Sequence, residues 1–324
     1  MCTRVLWNSN STAVVVGRTM DWPTTTEPLL TMFPRGMERH GGYVGSQLVV
    51  AENPARWTSA YGSMVVTMFG AGTVDGMNEK GLAAHMLYLE VTDFGPRDGR
   101  RGVHAGLWGQ FLLDNAATVA EALDLMQQTQ PVMVEVRGIR STLHLALEDA
   151  TGDSAILEYI DGNLVVHHGR QYCVMTNDPI YDQQLANRAG FDFTYATRRT
   201  PLPGNVDPTH RFIRADYYLR VLPEPKGERE AIAGILAIAR NVSVPFGAPN
   251  GEPGTLYNTE YRTAIDLTNR RYFFELTTAP NVIWMELDAF DLEVGAPAMI
   301  LDPDDITLCG DVSARFQRAV RVPF

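Results

Sequence analysis

Cysteine is scarce in this chain. Only three occur in 324 residues, Cys2, Cys173 and Cys309, and no two of them form a CxxC pair. An odd and widely spaced set does not indicate a disulfide framework, and it lacks the spacing of zinc ligands. The histidines include the adjacent pair His167-His168 but no HExxH motif. Adjacent residues on a strand point to opposite faces, so this histidine pair does not indicate a metal site.

Long apolar runs are also missing. Polar residues from Asn8 to Thr12 interrupt the first 20 positions, so these positions do not read as a secretory signal. No run elsewhere approaches the roughly 18 apolar residues of a membrane-spanning helix. We expect a cytoplasmic protein that does not bind membranes, or a periplasmic one if a leader is removed ahead of Cys2.

Basic residues are outnumbered by acidic ones. There are 27 lysines and arginines against 38 aspartates and glutamates, which gives a formal net charge of −11. Without a basic stripe, such a chain is a poor partner for nucleic acid or for an anionic membrane. Hydrophobic residues make up 45% of the chain, enough for a large core. No linker, repeat or low-complexity stretch divides the sequence, so we expect a single domain over 1–324.

Alternating apolar and polar residues, the pattern of half-buried strands, dominate the sequence. This pattern predicts strands at 2–7, 13–18, 64–69, 82–89, 143–148, 155–160, 164–167, 172–176, 261–267, 272–277 and 282–287. The segment 70–81 carries turn signals at Asp75-Gly76 and Lys80-Gly81. Helical periodicity predicts helices at 119–128, 210–221 and 229–240. Because strands and helices fall in separate clusters, we expect an α+β fold with mostly antiparallel sheets.

Cys2 stands directly after Met1. Methionine is commonly removed when a small residue follows, and removal would give Cys2 a free α-amine. The residue would then hold a thiol nucleophile and its own base, since reference pKa values of about 8.5 and about 7.7–8.0 leave some amine unprotonated at neutral pH. A chance cysteine at a frayed terminus is the alternative.

The second strand of the predicted N-terminal hairpin ends at 17–22. A short hairpin returns this segment beside Cys2, which predicts that Arg18 and Asp21 lie near the thiol. A neighbouring guanidinium favours the thiolate, and a carboxylate can orient the amine. An ordinary surface ion pair is the alternative.

An acyl-transfer site also needs hydrogen-bond donors for the developing oxyanion. The apolar segment 172–176 stops at Asn177, two residues before Pro179. The side-chain amide of Asn177 offers such a donor. A turn asparagine ahead of a proline is the alternative.

Six stretches of the sequence together resemble the choloylglycine hydrolase family of N-terminal-nucleophile hydrolases, which includes bile salt hydrolases and penicillin V acylases. They occur in family order over nearly the whole chain: MCTR at 1–4, GRTMDW at 17–22, DGMNEKGLAAHMLYLE at 75–90, VMTNDP at 174–179, LPGNVDPTHRFIR at 202–214 and TEYRTAIDLTNRRYFFEL at 259–276. Each stretch is weak alone, and six in order are specific. The resemblance implies a four-layer αββα sandwich and no metal or cofactor.

The resemblance also implies catalytic roles. They are Cys2 as nucleophile and, through its amine, as base; Arg18 and Asp21 beside it; the Asn177 side chain and the Tyr88 backbone N–H as the oxyanion hole; and Arg211 as a second catalytic arginine. An aromatic residue at Tyr88 resembles penicillin acylase-like members, whereas bile salt hydrolases tend to carry asparagine there. The stretch that precedes and includes Tyr88 also resembles the Gram-negative penicillin acylase branch, whose members resemble acyl-homoserine-lactone acylases in activity.

An apolar acyl pocket is expected around the nucleophile. Its candidate residues are Met20, Trp22, Phe69, Met86 and Tyr88, although methionines and aromatics on strands commonly form plain core. The loops at 23–45, 56–62 and 91–104 are expected to shape this pocket.

The sequence thus predicts an amidase that cleaves small N-acyl amides, penicillin V or a long-chain acyl-homoserine lactone. A bile salt hydrolase is the alternative within this family. A catalytically silent member that binds an acyl ligand is the alternative from another class. The resemblance implies a homo-oligomer, and the short segment 178–210 puts a tetramer in doubt.

Overall fold

The computed structural model describes residues 1–249, 255–279, 281–322 and 324. Its strands are β1 (Cys2–Trp7), β2 (Val15–Trp22), β3 (Leu29–Phe33), β4 (Glu38–His40), β5 (Tyr43–Val44), β6 (Gln47–Leu48), β7 (Arg56–Thr58), β8 (Ser63–Met68), β9 (Gly72–Asn78), β10 (Ala83–Tyr88), β11 (Arg101–His104), β12 (Thr129–Val132), β13 (Glu135–Val136), β14 (Ile139–Arg140), β15 (Leu143–Glu148), β16 (Ser154–Ile160), β17 (Asn163–His168), β18 (Val174–Met175), β19 (Ala248–Pro249), β20 (Leu256–Asp266), β21 (Arg271–Leu276), β22 (Ile283–Glu286), β23 (Met299–Leu301), β24 (Gly310–Asp311) and β25 (Gln317–Arg318). Its α-helices are α1 (Trp108–Asn115), α2 (Val119–Met126), α3 (Tyr181–Ala189), α4 (Pro208–Val221) and α5 (Glu228–Asn241).

Two large sheets organise the structure. The first follows the order β18-β1-β2-β20-β21-β22-β24, with β19 paired to β20. The second follows the order β17-β16-β15-β10-β9-β8-β3-β23-β25. Neighbours are antiparallel in both sheets, except for the parallel pair β22–β24. The expected α+β class with large antiparallel sheets is confirmed.

The sheets face each other, and helices cover their outer sides. Met64 and Val66 of β8 pack into the core shared with the first sheet, whereas Val65 packs with α1 and α2. This alternation is what a strand buried on both faces requires. Helices α4 and α5 pack on β1 and β2 on the other side of the molecule. The layers are therefore helix, sheet, sheet and helix.

Most of the predicted elements are present with shifted ends. Strand β1 matches its prediction, and β2 runs on from the predicted end to Trp22. The turn at Asp161 and Gly162 joins β16 to β17, with φ angles of 49° and 76°. Thr118 caps α2 by accepting a hydrogen bond from the Glu121 N–H at 3.2 Å, as its capping-box pattern predicts.

One prediction needs correction, and two helices were missed. The segment at Asp75-Gly76 is not a turn but the middle of β9, between β8 and β10. Gly76 is required there by a close approach, because a Cβ would lie 2.6 Å from the carbonyl oxygen of Met64. Helices α1 and α3 were not predicted. Within the described residues, the structure has no helix that is both long and apolar enough to span a membrane.

Candidate active site

Cys2 lies between two strands at the start of β1. It pairs with Met20 of β2 on one side. On the other side β1 pairs with β18, and the register Arg4–Met175 places Asn177 opposite Cys2. The thiol is buried, with 2% of the residue exposed, and its Sγ lies 3.7 Å from the sulfur of Met20. Strand pairing thus brings Met20 and Asn177, which are far apart in the sequence, to the two sides of Cys2.

Arg18 meets the thiol from the adjacent strand. Its Nη2 lies 3.5 Å from Cys2 Sγ and donates to the carbonyl of Met86 at 3.1 Å. Its Nη1 donates to the carbonyl of Val74 at 2.5 Å. Burial alone would lower the pKa of Arg18, but the Cys2 thiolate and nearby acidic groups raise it above its ordinary value. Arg18 is therefore a fixed positive charge beside the sulfur.

Asn177 is held with its side-chain oxygen toward Cys2. Asn177 Oδ1 accepts from the Cys2 backbone N–H at 2.6 Å and from Arg211 Nη2 at 2.9 Å. Because both partners are donors, the orientation of the amide is settled. Asn177 Nδ2 donates to the carbonyl oxygen of Tyr88 at 2.6 Å. An amide NH₂ carries a second hydrogen, which can serve another acceptor.

Arg211 reaches the same point from helix α4. Its Nη1 donates to the Cys2 carbonyl and to Thr3 Oγ1, both at 2.6 Å. The same nitrogen lies 3.5 Å from Asp21 Oδ2, and both side chains are fully buried. Asp21 also accepts a hydrogen bond from Thr259 at 2.6 Å. Thus Arg211 ties the nucleophile strand, Asn177 and Asp21 into one hydrogen-bonded unit.

Met1 continues the strand pairing ahead of Cys2. Its carbonyl accepts from the Asp21 N–H at 2.8 Å, and its α-ammonium donates to the Asp21 carbonyl. Burial is the main reason that the pKa of this amine is lowered. While Met1 is present, the nitrogen of Cys2 is a peptide N–H rather than an amine.

A narrow apolar pocket of about 100 Å³ opens from the thiol. Cys2 and Arg18 lie on its wall together with all five residues expected from the sequence, Met20, Trp22, Phe69, Met86 and Tyr88. The rings of Trp22 and Tyr88 meet edge to face, with centroids 6.3 Å apart. An apolar pocket lined by these two aromatic rings suits a flat or linear acyl group.

Sequence reasoning missed one wall of the pocket. Residues 134–141, here called the flap, form the hairpin β13–β14 and supply Val134, Val136, Ile139, Arg140 and Ser141. The loop at 56–62, expected to shape the pocket, contributes none of its described lining. The available signal was Arg137-Gly138, whose φ angles of 53° and 78° make the hairpin turn.

The flap is fastened across the pocket mouth. Arg137 forms two hydrogen bonds with the carboxylate of Glu27, at 2.6 and 3.0 Å. Its guanidinium also lies over the ring of Phe69, 4.5 Å from the centroid. His104 completes the inner wall, where burial lowers its pKa to about 4. The pocket therefore has a neutral imidazole on its inner wall and the Arg137–Glu27 ion pair at its mouth.

A wider groove adjoins the pocket at Trp22 and Phe69. Its volume is about 780 Å³. Its described lining holds no arginine, lysine or histidine, and its charged side chains are the four carboxylates Glu27, Glu260, Asp302 and Asp304. The groove is thus acidic, whereas the pocket is almost entirely apolar.

The chain matches known proteins over nearly its whole length. Residues 2–306 match the family described as linear amide C-N hydrolases, choloylglycine hydrolase family. A penicillin V acylase of Pectobacterium atrosepticum is 36% identical over 98% of this chain and 90% of its own length. The solved penicillin V acylase of Agrobacterium tumefaciens is 38% identical, with a TM-score of 0.87 and 98% of each chain covered.

A second solved structure shares the fold at lower identity. It is a mutant of the conjugated bile acid hydrolase from Clostridium perfringens, 19% identical, with a TM-score of 0.78 over 99% of this chain and 100% of that one. The family match covers most of the chain, and the penicillin V acylases match it nearly end to end. The chain therefore belongs to the choloylglycine hydrolase family and is a hydrolase that acts on linear amide C–N bonds.

Proposed function

We propose that this protein is an N-terminal cysteine amidase that removes an apolar acyl group from penicillin V or a similar small N-acyl amide. The observation that carries the proposal is the arrangement around Cys2 Sγ. The sulfur lies 3.5 Å from Arg18 Nη2 on the wall of an apolar pocket, and Asn177 is hydrogen-bonded to the nitrogen of the same residue.

In the proposed reaction, removal of Met1 frees the Cys2 amine, which takes the thiol proton. The thiolate then attacks the amide carbon, and Arg18 stabilises the charge on sulfur until the bond forms. The second N–H of Asn177 donates to the oxyanion, with the Tyr88 backbone N–H as its predicted partner. The C–N bond breaks as the α-ammonium returns its proton to the leaving amine. Water then hydrolyses the thioester.

The five side chains of this scheme lie together. Arg211 contacts the Cys2 carbonyl, Asn177 and Asp21, and Arg18 contacts the thiol. A silent ligand-binding member would need no such set, so the complete set favours the enzyme. The pocket of about 100 Å³ is small beside the roughly 300–1,000 Å³ of sites for drug-sized ligands. A phenoxyacetyl group or a linear acyl chain fits this space better than the fused rings of a bile acid.

The groove beside the pocket favours an acyl-homoserine lactone as a second candidate substrate. Penicillin V carries a carboxylate on its amine half, whereas a homoserine lactone is uncharged until its amine is released. Glu27 is paired with Arg137, but Glu260, Asp302 and Asp304 would repel the first and tolerate the second when the amine half lies in the groove. Acyl-homoserine-lactone acylase activity is therefore part of the proposal.

Intact mass spectrometry with a thiol-reactive β-lactam tests the nucleophile. The wild type should lack Met1 and gain one adduct on the N-terminal peptide. Cys2→Ser should gain none there, while Cys173→Ser and Cys309→Ser, the matched controls, should still be labelled at Cys2. An unlabelled Cys2, or a retained Met1 in active enzyme, would refute the mechanism.

A pair of substrates with the same acyl group then tests the amine half. Phenoxyacetyl-homoserine lactone and penicillin V differ only beyond the scissile bond. A higher kcat/KM for the lactone, with a gap that narrows as salt is added, is expected. Glycocholate, in parallel, tests the bile salt alternative.

A further inference from the structure

A chain of buried ionisable side chains runs from the thiol into the space between the two sheets. Arg18 and Arg4 lie directly opposite one another on the β1–β2 ladder. Like charges in this position repel, so each arginine needs a countercharge. Both carboxylates come from the facing sheet. Asp75 of β9 lies 3.9 Å from Arg18, and Glu148 of β15 is hydrogen-bonded to Arg4.

His85 of β10 joins the two carboxylates. Its Nδ1 lies 2.7 Å from Asp75 Oδ1, and its Nε2 lies 2.5 Å from Glu148 Oε1. His85 pairs directly with Asp75 in the register of β9 and β10. Both approaches are at ion-pair distance, and two ionised carboxylates this close to one ring favour the form that carries hydrogens on both nitrogens. All of these side chains are fully buried.

The charges of this cluster do not cancel. Two arginines and an imidazolium face two carboxylates, which leaves one positive charge in excess. That excess is balanced when Cys2 becomes a thiolate at 3.5 Å from Arg18. The Cys2 α-ammonium supplies one countercharge to the thiolate, and the excess charge of the cluster stabilises it further. With a neutral His85 the cluster would already balance, and this further stabilisation would be lost.

We propose that His85 is a positioning residue that stays positively charged, fixes Asp75 against Arg18 and thereby favours the Cys2 thiolate. This inference rests on the proposed function, in which that thiolate is the nucleophile. His85 touches neither the substrate pocket lining nor the sulfur, so it acts through Asp75 and Arg18.

The surroundings of His85 support a charged ring. Burial opposes the positive charge, but Glu148 and Asp75 outweigh it and raise the pKa of His85 to about 9. The other groups that face the cluster are neutral. Thr263 of β20 donates to Asp75 at 2.6 Å, and Ser154 of β16 accepts from Arg4 at 3.0 Å. Burial also keeps the phenols of Tyr261 and Tyr272 protonated, since it raises the pKa of each.

The rate at which Cys2 reacts with iodoacetamide tests this proposal. The adduct is measured on the N-terminal peptide across pH 5–10, so Cys173 and Cys309 do not interfere. In His85→Gln, which keeps an N–H donor but no charge, the alkylation rate near neutral pH should fall about tenfold and its midpoint should move to higher pH. The acidic limb of the pH profile of kcat/KM should also move to higher pH, with little change in KM.

Leu112→Ala is the matched control for lost stability. Leu112 of α1 is fully buried in the other core cluster and is an apolar residue outside the charged chain. This variant should unfold more easily yet keep the wild-type alkylation profile. If His85→Gln also kept that profile, His85 would be merely structural. If wild-type Cys2 did not react at all, the proposed function would fail instead.

Histidine-selective ¹⁵N NMR of the wild type gives a second reading that does not depend on any variant folding. One histidine should keep both ring protons at pH 8, where exposed histidines are neutral. The absence of such a signal would overturn the proposal.

Discussion

The side chain of Asn177 accepts a hydrogen bond from the backbone nitrogen of Cys2 at 2.6 Å, although 175 positions separate the two residues. Strand pairing brings them together, because β18 pairs with β1 in the register that sets these residues opposite. The same side chain accepts from Arg211 and donates to Tyr88. One amide thus links the nucleophile strand, a helix and the pocket wall.

Asn177→Asp should separate the two uses of this amide. The substitution keeps an acceptor for Cys2 and Arg211 but removes the NH₂ donor proposed for the oxyanion. We expect kcat to fall about 10²–10³-fold with a smaller change in KM. Steady-state kinetics on penicillin V measures this split. An unchanged kcat would remove Asn177 from the oxyanion hole.

Arg211→Met should lower stability as well as activity. Arg211 is fully buried, and its loss leaves Asp21 without its nearest positive charge. Breaking a buried pair in this way costs about 3–5 kcal/mol of unfolding free energy. Urea unfolding measures it, with Arg240→Met as control, because the ion pair of Arg240 with Glu275 is largely exposed on the arginine side. If Arg211→Met and Arg240→Met lost equal amounts of unfolding free energy, the expected role of burial would be contradicted.

Much of the site was predictable because its parts are local. The N-terminal hairpin follows from the polar turn after Trp7, and it places Arg18 beside Cys2 without knowledge of the rest of the fold. Met20 and Trp22 lie on the hairpin itself, Met86 and Tyr88 lie on β10 of the facing sheet, and Phe69 follows β8 directly. Their positions therefore follow from strand order and register.

Other parts depend on contacts that no local pattern reports. Asp75-Gly76 favours a turn by composition, but pairing with β8 and β10 overrides this preference. The charged pair of Asp75 and His85 becomes visible only when two strands align. The flap was missed for a similar reason, since its strands have two residues each and its position depends on Glu27 and Phe69.

Trp22→Leu should weaken recognition of aromatic acyl groups. Trp22 lies edge to face with Tyr88 across the pocket, and the loss of a large buried ring contact costs about 1.5–3 kcal/mol. That corresponds to a loss of roughly tenfold or more in kcat/KM for penicillin V. Trp284→Leu is the control, because Trp284 is also partly buried and packs on Phe273 away from the pocket. Equal effects of the two changes would contradict a role for Trp22 in the pocket.

Arg137→Ala should loosen the flap rather than the fold. Its ion pair with Glu27 is about half exposed and screened by water, so it contributes little to stability. We expect KM to rise by up to about fivefold with kcat nearly unchanged. At high salt, which screens the ion pair, the KM of the wild type should approach that of the variant. Arg270→Ala, which breaks an exposed pair with Asp288 remote from the pocket, should change neither parameter.

The unfolding free energy should fall as pH rises from about 6.5 to 9. The pKa of His85 is raised to about 9 in the fold, against about 6.5 when unfolded. Below pH 6.5 both states hold the proton, and the full stabilisation is present. Above it the unfolded state loses its proton first, so as much as about 3 kcal/mol disappears as the pH passes through 9.

Urea unfolding of the wild type and of His85→Gln at pH 6.5, 8 and 9 measures this loss. The N-terminal amine is the same in both proteins, so its contribution cancels from the difference between them. His104, with a pKa lowered to about 4, affects stability only below pH 6.5. The difference between the two proteins therefore isolates His85. If the unfolding free energies of the two proteins changed equally with pH above 6.5, the His85 ring between Asp75 and Glu148 would be neutral.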